Sequence, residues 1–165
     1  MPAPKDDFFE RFRALHEMDG KAPLSKSERA EYDKVKERFA EAICAAQRLV
    51  VKPGETARST FRVALLFKLK LTIDGAVQTT STFDVSGGGF GAALASSPSS
   101  LDVGYEMFLT KAESISGKAR LLDGRNKQRA LFGFVDLKPA ALERLERLLF
   151  DEMLRQLVEA ATRKA

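Results

Sequence analysis

The sequence predicts an α+β fold, mainly β: a small antiparallel barrel or sandwich of six short strands, with a pair of helices before it and one helix after it. Three observations predict this. From Phe61 to Ile73 every odd-numbered residue is apolar, the period of a half-buried strand. Turn-forming residues recur at short intervals from about residue 55 to 137. On both sides of that zone the apolar residues switch to helical spacing. The expected division is therefore residues 1–52 as a helical N-terminal extension, 53–137 as the barrel and 138–165 as a C-terminal helix.

The first helix is predicted from Phe8, Phe12 and Leu15, which fall on one face, with Asp6 or Asp7 as its cap and Gly20 near its end. Ser25-Lys26-Ser27-Glu28 has capping-box spacing and opens a second helix. Its stripe runs through Tyr32, Val35, Phe39, Ala42, Ile43, Ala46, Leu49 and Val50, and Pro53-Gly54 is expected to stop it. Asp74-Gly75 marks a hairpin after the long strand. A second strand is expected to about Phe83, broken by Asp84-Val85-Ser86-Gly87-Gly88-Gly89, with a short strand over 90–95. Residues 103–110, 115–122 and 129–135 complete the six. Pro139 opens the last helix, whose broad leucine-rich face needs two covers: the barrel, and another helix or a second copy of the chain.

Composition narrows the function. The chain has 165 residues with one cysteine, Cys44, and one histidine, His16. A disulfide framework is excluded, and a His-based triad or metal site has little to build on. Cys44 reads as packing and His16 as a surface residue on a short helix. No run of about 18 apolar residues occurs, which argues against membrane insertion. Acids near the N-terminus stand where a signal peptide needs its apolar core, so the expected location is cytoplasmic. The formal net charge of +4 is spread evenly along the chain, so no nucleic-acid footprint stands out. A nucleic-acid-binding barrel using Arg120, Arg125, Lys127 and Arg129 is a third-ranked alternative.

Two short elements carry chemistry. Arg58 and Arg62 lie four apart at the mouth of the first strand, and Asp84, Ser86 and Gly89 follow the second. A hairpin around Asp74-Gly75 brings residue 62 near residue 86 or 87, so both elements share one end of the sheet. Arginine's planar fork matches phosphate and the O6/N7 edge of guanine. Aspartate accepts from N–H donors, and glycine lets a backbone come close. The cluster reads as a pocket for a guanine nucleotide bearing phosphates. Gly87–Ala92 formally fits a dinucleotide fingerprint, but no helix follows it. Ser86 lacks the elbow and the histidine of a nucleophile.

Arg58-x-x-x-Arg62 followed by Asp84-x-Ser86-x-x-Gly89 resembles the signature of the bacterial PilZ domain family. Phe61-Arg62-Val63, Gly117-Lys118-Ala119-Arg120 and Phe132-Gly133-Phe134 extend the resemblance over about residues 55–150. It implies a six-stranded PilZ-type β-barrel that binds cyclic di-GMP and catalyses nothing, with no cofactor beyond that ligand. Arg58 and Arg62 would hold phosphates and guanine Hoogsteen edges, Asp84 and Ser86 a guanine edge, and Gly89 would permit the turn. Many members carry a further arginine just before the first; here that residue is Ala57, which bears on whether one ligand or an intercalated pair binds. The expected function is a cyclic di-GMP effector that signals through an unidentified protein partner. The alternative is a PilZ-like adapter that binds no nucleotide and works through its helices.

Overall fold

The computed structural model describes residues 5–96 and 98–164. The chain divides into two compact units, residues 1–61 and 62–165. The fold is α+β, and its centre is a closed six-stranded antiparallel barrel.

The N-terminal unit is a helical hairpin, α1 (Lys5–Lys21) and α2 (Lys26–Ala46), followed by a one-turn helix, α3 (Ala57–Thr60). Helix α1 already includes Asp6 and Asp7, so neither acid caps it. The capping box at α2 forms: the Glu28 N–H donates to Ser25 Oγ at 3.2 Å, and the Ser25 N–H donates to the Glu28 carboxylate at 3.0 Å. Arg11 pairs with Glu31, and Arg29 with Asp19 at 2.6 Å, across the two helices. Between them the rings of Phe12 and Phe39 meet edge to face at 4.6 Å. His16 is not a surface residue. It is buried, with Nδ1 2.6 Å from the Tyr32 hydroxyl, because a polar partner on the facing helix lets an imidazole enter an aromatic core.

Helix α2 stops short of Pro53-Gly54. The Leu49 N–H reaches the Cys44 carbonyl at 2.8 Å and the Arg48 N–H reaches Ala45 at 3.1 Å, with Arg48 left-handed at φ 57°. That is a Schellman ending with arginine where glycine is usual, so the sequence carries no glycine to announce it. Three members of the predicted stripe, Ala42, Ala46 and Val50, are exposed.

The barrel strands are β1 (Lys68–Ile73), β2 (Ala76–Ser86), β3 (Gly89–Ala92), β4 (Asp102–Phe108), β5 (Ser114–Asp123) and β6 (Ala130–Val135), closed in the order β1-β2-β3-β6-β5-β4. Asp74 and Gly75, both at positive φ, form the two-residue turn that the Asp-Gly pair predicts. Leu69, Leu71, Val85, Phe90, Met107, Ala119 and Phe132 point inward and are buried. Helix α4 (Pro139–Lys164) belongs to the same unit, where the Gln156 side chain donates to the Ala64 carbonyl at 3.0 Å. No helix among the described residues is long and apolar enough to cross a membrane.

Strand boundaries differ from expectation: β3 ends at Ala92 rather than at residue 95, β4 ends at Phe108 rather than at residue 110, and two further shifts lie near Val63 and Val85. The strand expected over 61–73 is regular only from Lys68. Before it, Ala64, Leu65 and Leu66 face Phe83 and Asp84, so the ladder is interrupted by a bulge. Thr82 bridges the gap: its Oγ1 accepts from the Phe67 N–H and donates to the Leu65 carbonyl, both at 2.8 Å. In the other direction β2 continues past Phe83 to Ser86, because β3 pairs back on it from Gly89, leaving only Gly87-Gly88 as the turn.

A left-handed non-glycine residue costs about 1–2 kcal/mol. Arg48→Gly is therefore expected to raise the stability of the helical unit by about 1 kcal/mol after glycine's greater freedom in the unfolded chain is subtracted. Urea titration followed by helical circular dichroism checks this. A lower midpoint would mean the Arg48 side chain makes a stabilising contact.

Candidate functional site

Val63 and Val85 exchange both backbone hydrogen bonds, each 2.9 Å, and both side chains are buried. This antiparallel pair decides the geometry around it. Residue 62 falls opposite residue 86, and since the valines face inward, Arg62, Asp84 and Ser86 face outward together. They border a cavity of about 110 Å³. Gly88, Gly89 and Phe90 form its floor, and Leu122, Leu131 and Phe132 its apolar side.

Each residue reaches that place for a local reason. The Ser86 hydroxyl accepts from the Gly88 N–H at 3.2 Å and the Gly89 N–H at 3.1 Å. It thereby holds the turn it precedes, as a short polar side chain at a strand end commonly does. Gly89 is at ordinary negative φ. Its requirement is space: a Cβ there would lie 2.0 Å from the Phe132 carbonyl oxygen. The expectation that Gly89 permits the turn is thus replaced by a packing reason, the close approach of β6.

Sequence reasoning missed two residues. Gly91 pairs with Asp84, and a Cβ on it would lie 2.4 Å from the Phe83 ring and 2.8 Å from Asp84 Oδ1. Its missing side chain is what gives the carboxylate its seat. Leu122 is the extra residue of a bulge in β5, between the Leu121 and Asp123 pairings with β6. The bulge re-aims it, so a leucine that is 68% exposed lines the cavity. The signal for Gly91 was a second glycine close after the motif; for Leu122 the even spacing of a strand gave none.

Arg58 lies on α3 in the N-terminal unit and is half-buried. The residue before it, Ala57, is 2% exposed, and α2 holds both its polar backbone atoms. The Ala57 N–H donates to Glu37 at 3.3 Å, and the Cys44 thiol donates to the Ala57 carbonyl at 3.4 Å. Burial, with Glu37 and Glu41 nearby, pushes the Cys44 thiol up from its ordinary range, which keeps it a protonated donor. An arginine at this position would have to bury its guanidinium or break that hold.

The cations behind the nucleic-acid alternative are largely engaged. Arg120 pairs with Asp102 at 3.1 Å, and Arg129 sits 5.4 Å over the Phe83 ring. Arg125 grips Asp123 with Nε at 3.1 Å and Nη2 at 2.9 Å, which holds that carboxyl below the usual carboxylate range. Among the described residues no three His, Cys, Asp or Glu side chains gather as a metal site.

Gly89→Ala forces a Cβ into the β6 backbone and is expected to cost about 1–3 kcal/mol or more. Gly91→Ala meets a ring and a carboxylate end, which can shift, so it should cost less stability while moving Asp84. Thermal denaturation of the two variants checks the order. Equal small losses would mean β3 and β6 are less closely apposed than described.

No protein-family model matches the chain, and no curated protein matches it. Among solved structures it is similar to YcgR of Escherichia coli in complex with c-di-GMP, with a TM-score of 0.51 and 20% identity over 64% of this chain and 49% of that one. It is also similar to the PilZ domain of CeSA from a cellulose-synthesizing bacterium, at TM-score 0.45 and 18% identity over 56% of this chain and 97% of that domain. A third is the Bacillus subtilis inhibitor of motility MotI/DgrA, at TM-score 0.45 and 18% identity over 58% and 49%. The match spans about half the length of YcgR and of MotI. The likeness to YcgR is one of fold: a closed six-stranded antiparallel barrel with flanking helices is the PilZ-type architecture.

Proposed function

We propose that this protein is a cyclic di-GMP receptor that performs no chemistry and acts on a protein partner. The observation that carries the reading is the outward face shared by Arg62, Asp84 and Ser86 at the rim of a cavity, set by the pairing of Val63 with Val85. An arginine fork facing a carboxylate suits a guanine whose one edge is all acceptor and whose other edge offers N–H donors. The apolar side made by Leu122 and Leu131 suits the face of a base. Ligand pockets commonly measure about 300–1,000 Å³, so a cavity of about 110 Å³ takes one edge of a dinucleotide and leaves its phosphates outside. The resemblance gives Arg58 to the same ligand. The likeness of the barrel to YcgR, solved with c-di-GMP, adds support at the level of fold.

The hold of α2 on Ala57 favours a single bound ligand, because the extra arginine that many members place there is absent. In this reading the N-terminal helices carry the output to the partner.

Arg58→Ala and Arg62→Ala should each remove a charge-assisted contact of about 1.5–3 kcal/mol, weakening affinity about ten- to a hundredfold. Calorimetric titration with cyclic di-GMP, with GTP and cyclic di-AMP as controls, checks this and gives the stoichiometry. Wild-type affinity in both variants would remove the site. An absence of heat and of thermal stabilisation in the native protein would favour the adapter that binds no nucleotide.

A further inference from the structure

The barrel has a second opening that the nucleotide reading does not use. Strand β3 meets β2 only from Thr82 onward. Beyond Ala92 the chain leaves β2, and the Leu94 N–H turns to the Lys127 carbonyl at 2.6 Å. The departure leaves a shallow, open slot on the barrel surface bordered by Leu66, Lys68, Thr79, Ser81, Phe83 and Ala93. The Gln78 amide oxygen accepts from the Ala95 N–H at 2.9 Å, tying the departing chain to β2.

The backbone beside this slot is a strand edge. Ile73 and Ala76 flank a two-residue turn and form a hydrogen-bonded pair, so pairing with β1 alternates from there along β2. Gln78 and Thr80 turn their N–H and C=O toward β1; Thr79 and Ser81 turn theirs toward the slot. On the side away from β1, no strand among the described residues pairs with Thr79 to Ser81. An open edge is a template for another strand.

The charges beside it have one sign. Lys68 lines the slot and is exposed, and the Arg129 guanidinium lies 5.4 Å over Phe83 in the slot wall. No acidic side chain lines it. Leu66, 73% exposed, adds an apolar contact. We propose that the β2 edge at Thr79–Ser81 is a docking site for a short extended segment of a partner protein, alternating apolar and acidic residues, which adds a strand to the barrel. A second copy of this chain fits less well, since its matching edge would again present Thr79 to Ser81 and bring no carboxylate for Lys68 and Arg129 to pair with.

The test uses the full chain and fluorescein-labelled pentapeptides. One alternates valine and glutamate, one valine and lysine, and one is the acidic peptide with proline at its centre. Anisotropy should rise saturably with the first alone. Hydrogen exchange by NMR should show the amides of Thr79 and Ser81 protected only with peptide, and those of Gln78 and Thr80 protected in both states. Thr79→Pro removes the outward N–H while sparing the β1 ladder and should abolish binding. Lys68→Glu, on an exposed position, should weaken it about fivefold, the effect of one exposed ion pair. The proposal falls if the proline peptide binds as well, if Lys68→Glu changes nothing, or if no acidic peptide binds the folded protein. A concentration-dependent dimer that protects the same amides without peptide would overturn the choice of occupant.

Discussion

The hydroxyl of Thr82 is the small contact on which the geometry of the barrel mouth depends. Along β1 and β2 the ladder runs in one register from the Asp74-Gly75 turn to the Phe67 and Thr82 pairing. Beyond it, Val63 pairs with Val85, one residue out of step with that register. A break in a buried ladder leaves backbone donors and acceptors without partners, which is costly. Thr82 removes that cost by accepting from Phe67 and donating to Leu65. The shift it allows puts Arg62 across from Ser86 rather than Gly87, on the same face as Asp84. It also leaves Phe83 as an extra residue between β2 and β3, with its ring over Gly91.

Much of this was legible in the residues. The capping box, the Asp-Gly turn, the six strands and the closing helix are local signals, written in neighbouring positions, and each forms. The convergence of Arg62 with Ser86 was legible to within one residue, because a hairpin around a known turn leaves few registers. What escaped prediction depends on contacts between distant segments. Arg48 ends a helix in a conformation that its side chain does not advertise. His16 is buried because Tyr32, on the next helix, meets it. Leu122 reaches the cavity because a bulge reverses its side, and a bulge is invisible to a period-two reading. The N-terminal helices lie outside the stretch that carries the resemblance, and their structure explains how they pack.

The same helices make Ala57 intelligible. Alanine at that position looks in the sequence like an omission from the arginine cluster. In the structure it is a small buried residue gripped through both backbone atoms by Glu37 and Cys44. Its size answers to the helical unit, while Arg58 after it is half-exposed. One residue separates a position constrained by packing from the position that the resemblance gives to the ligand.

That separation bears on how such a protein can change over generations. Arg62 and Asp84 project away from the core, so a lineage could lose both charges and keep its barrel, whereas the Ser86 hydroxyl also holds the Gly87-Gly88 turn. Gly89 stands on different ground, since any larger residue meets the β6 backbone whether or not a nucleotide is ever bound. Its persistence among descendants would record the shape of the barrel. Only the fate of the arginines and the aspartate would bear on the proposed ligand.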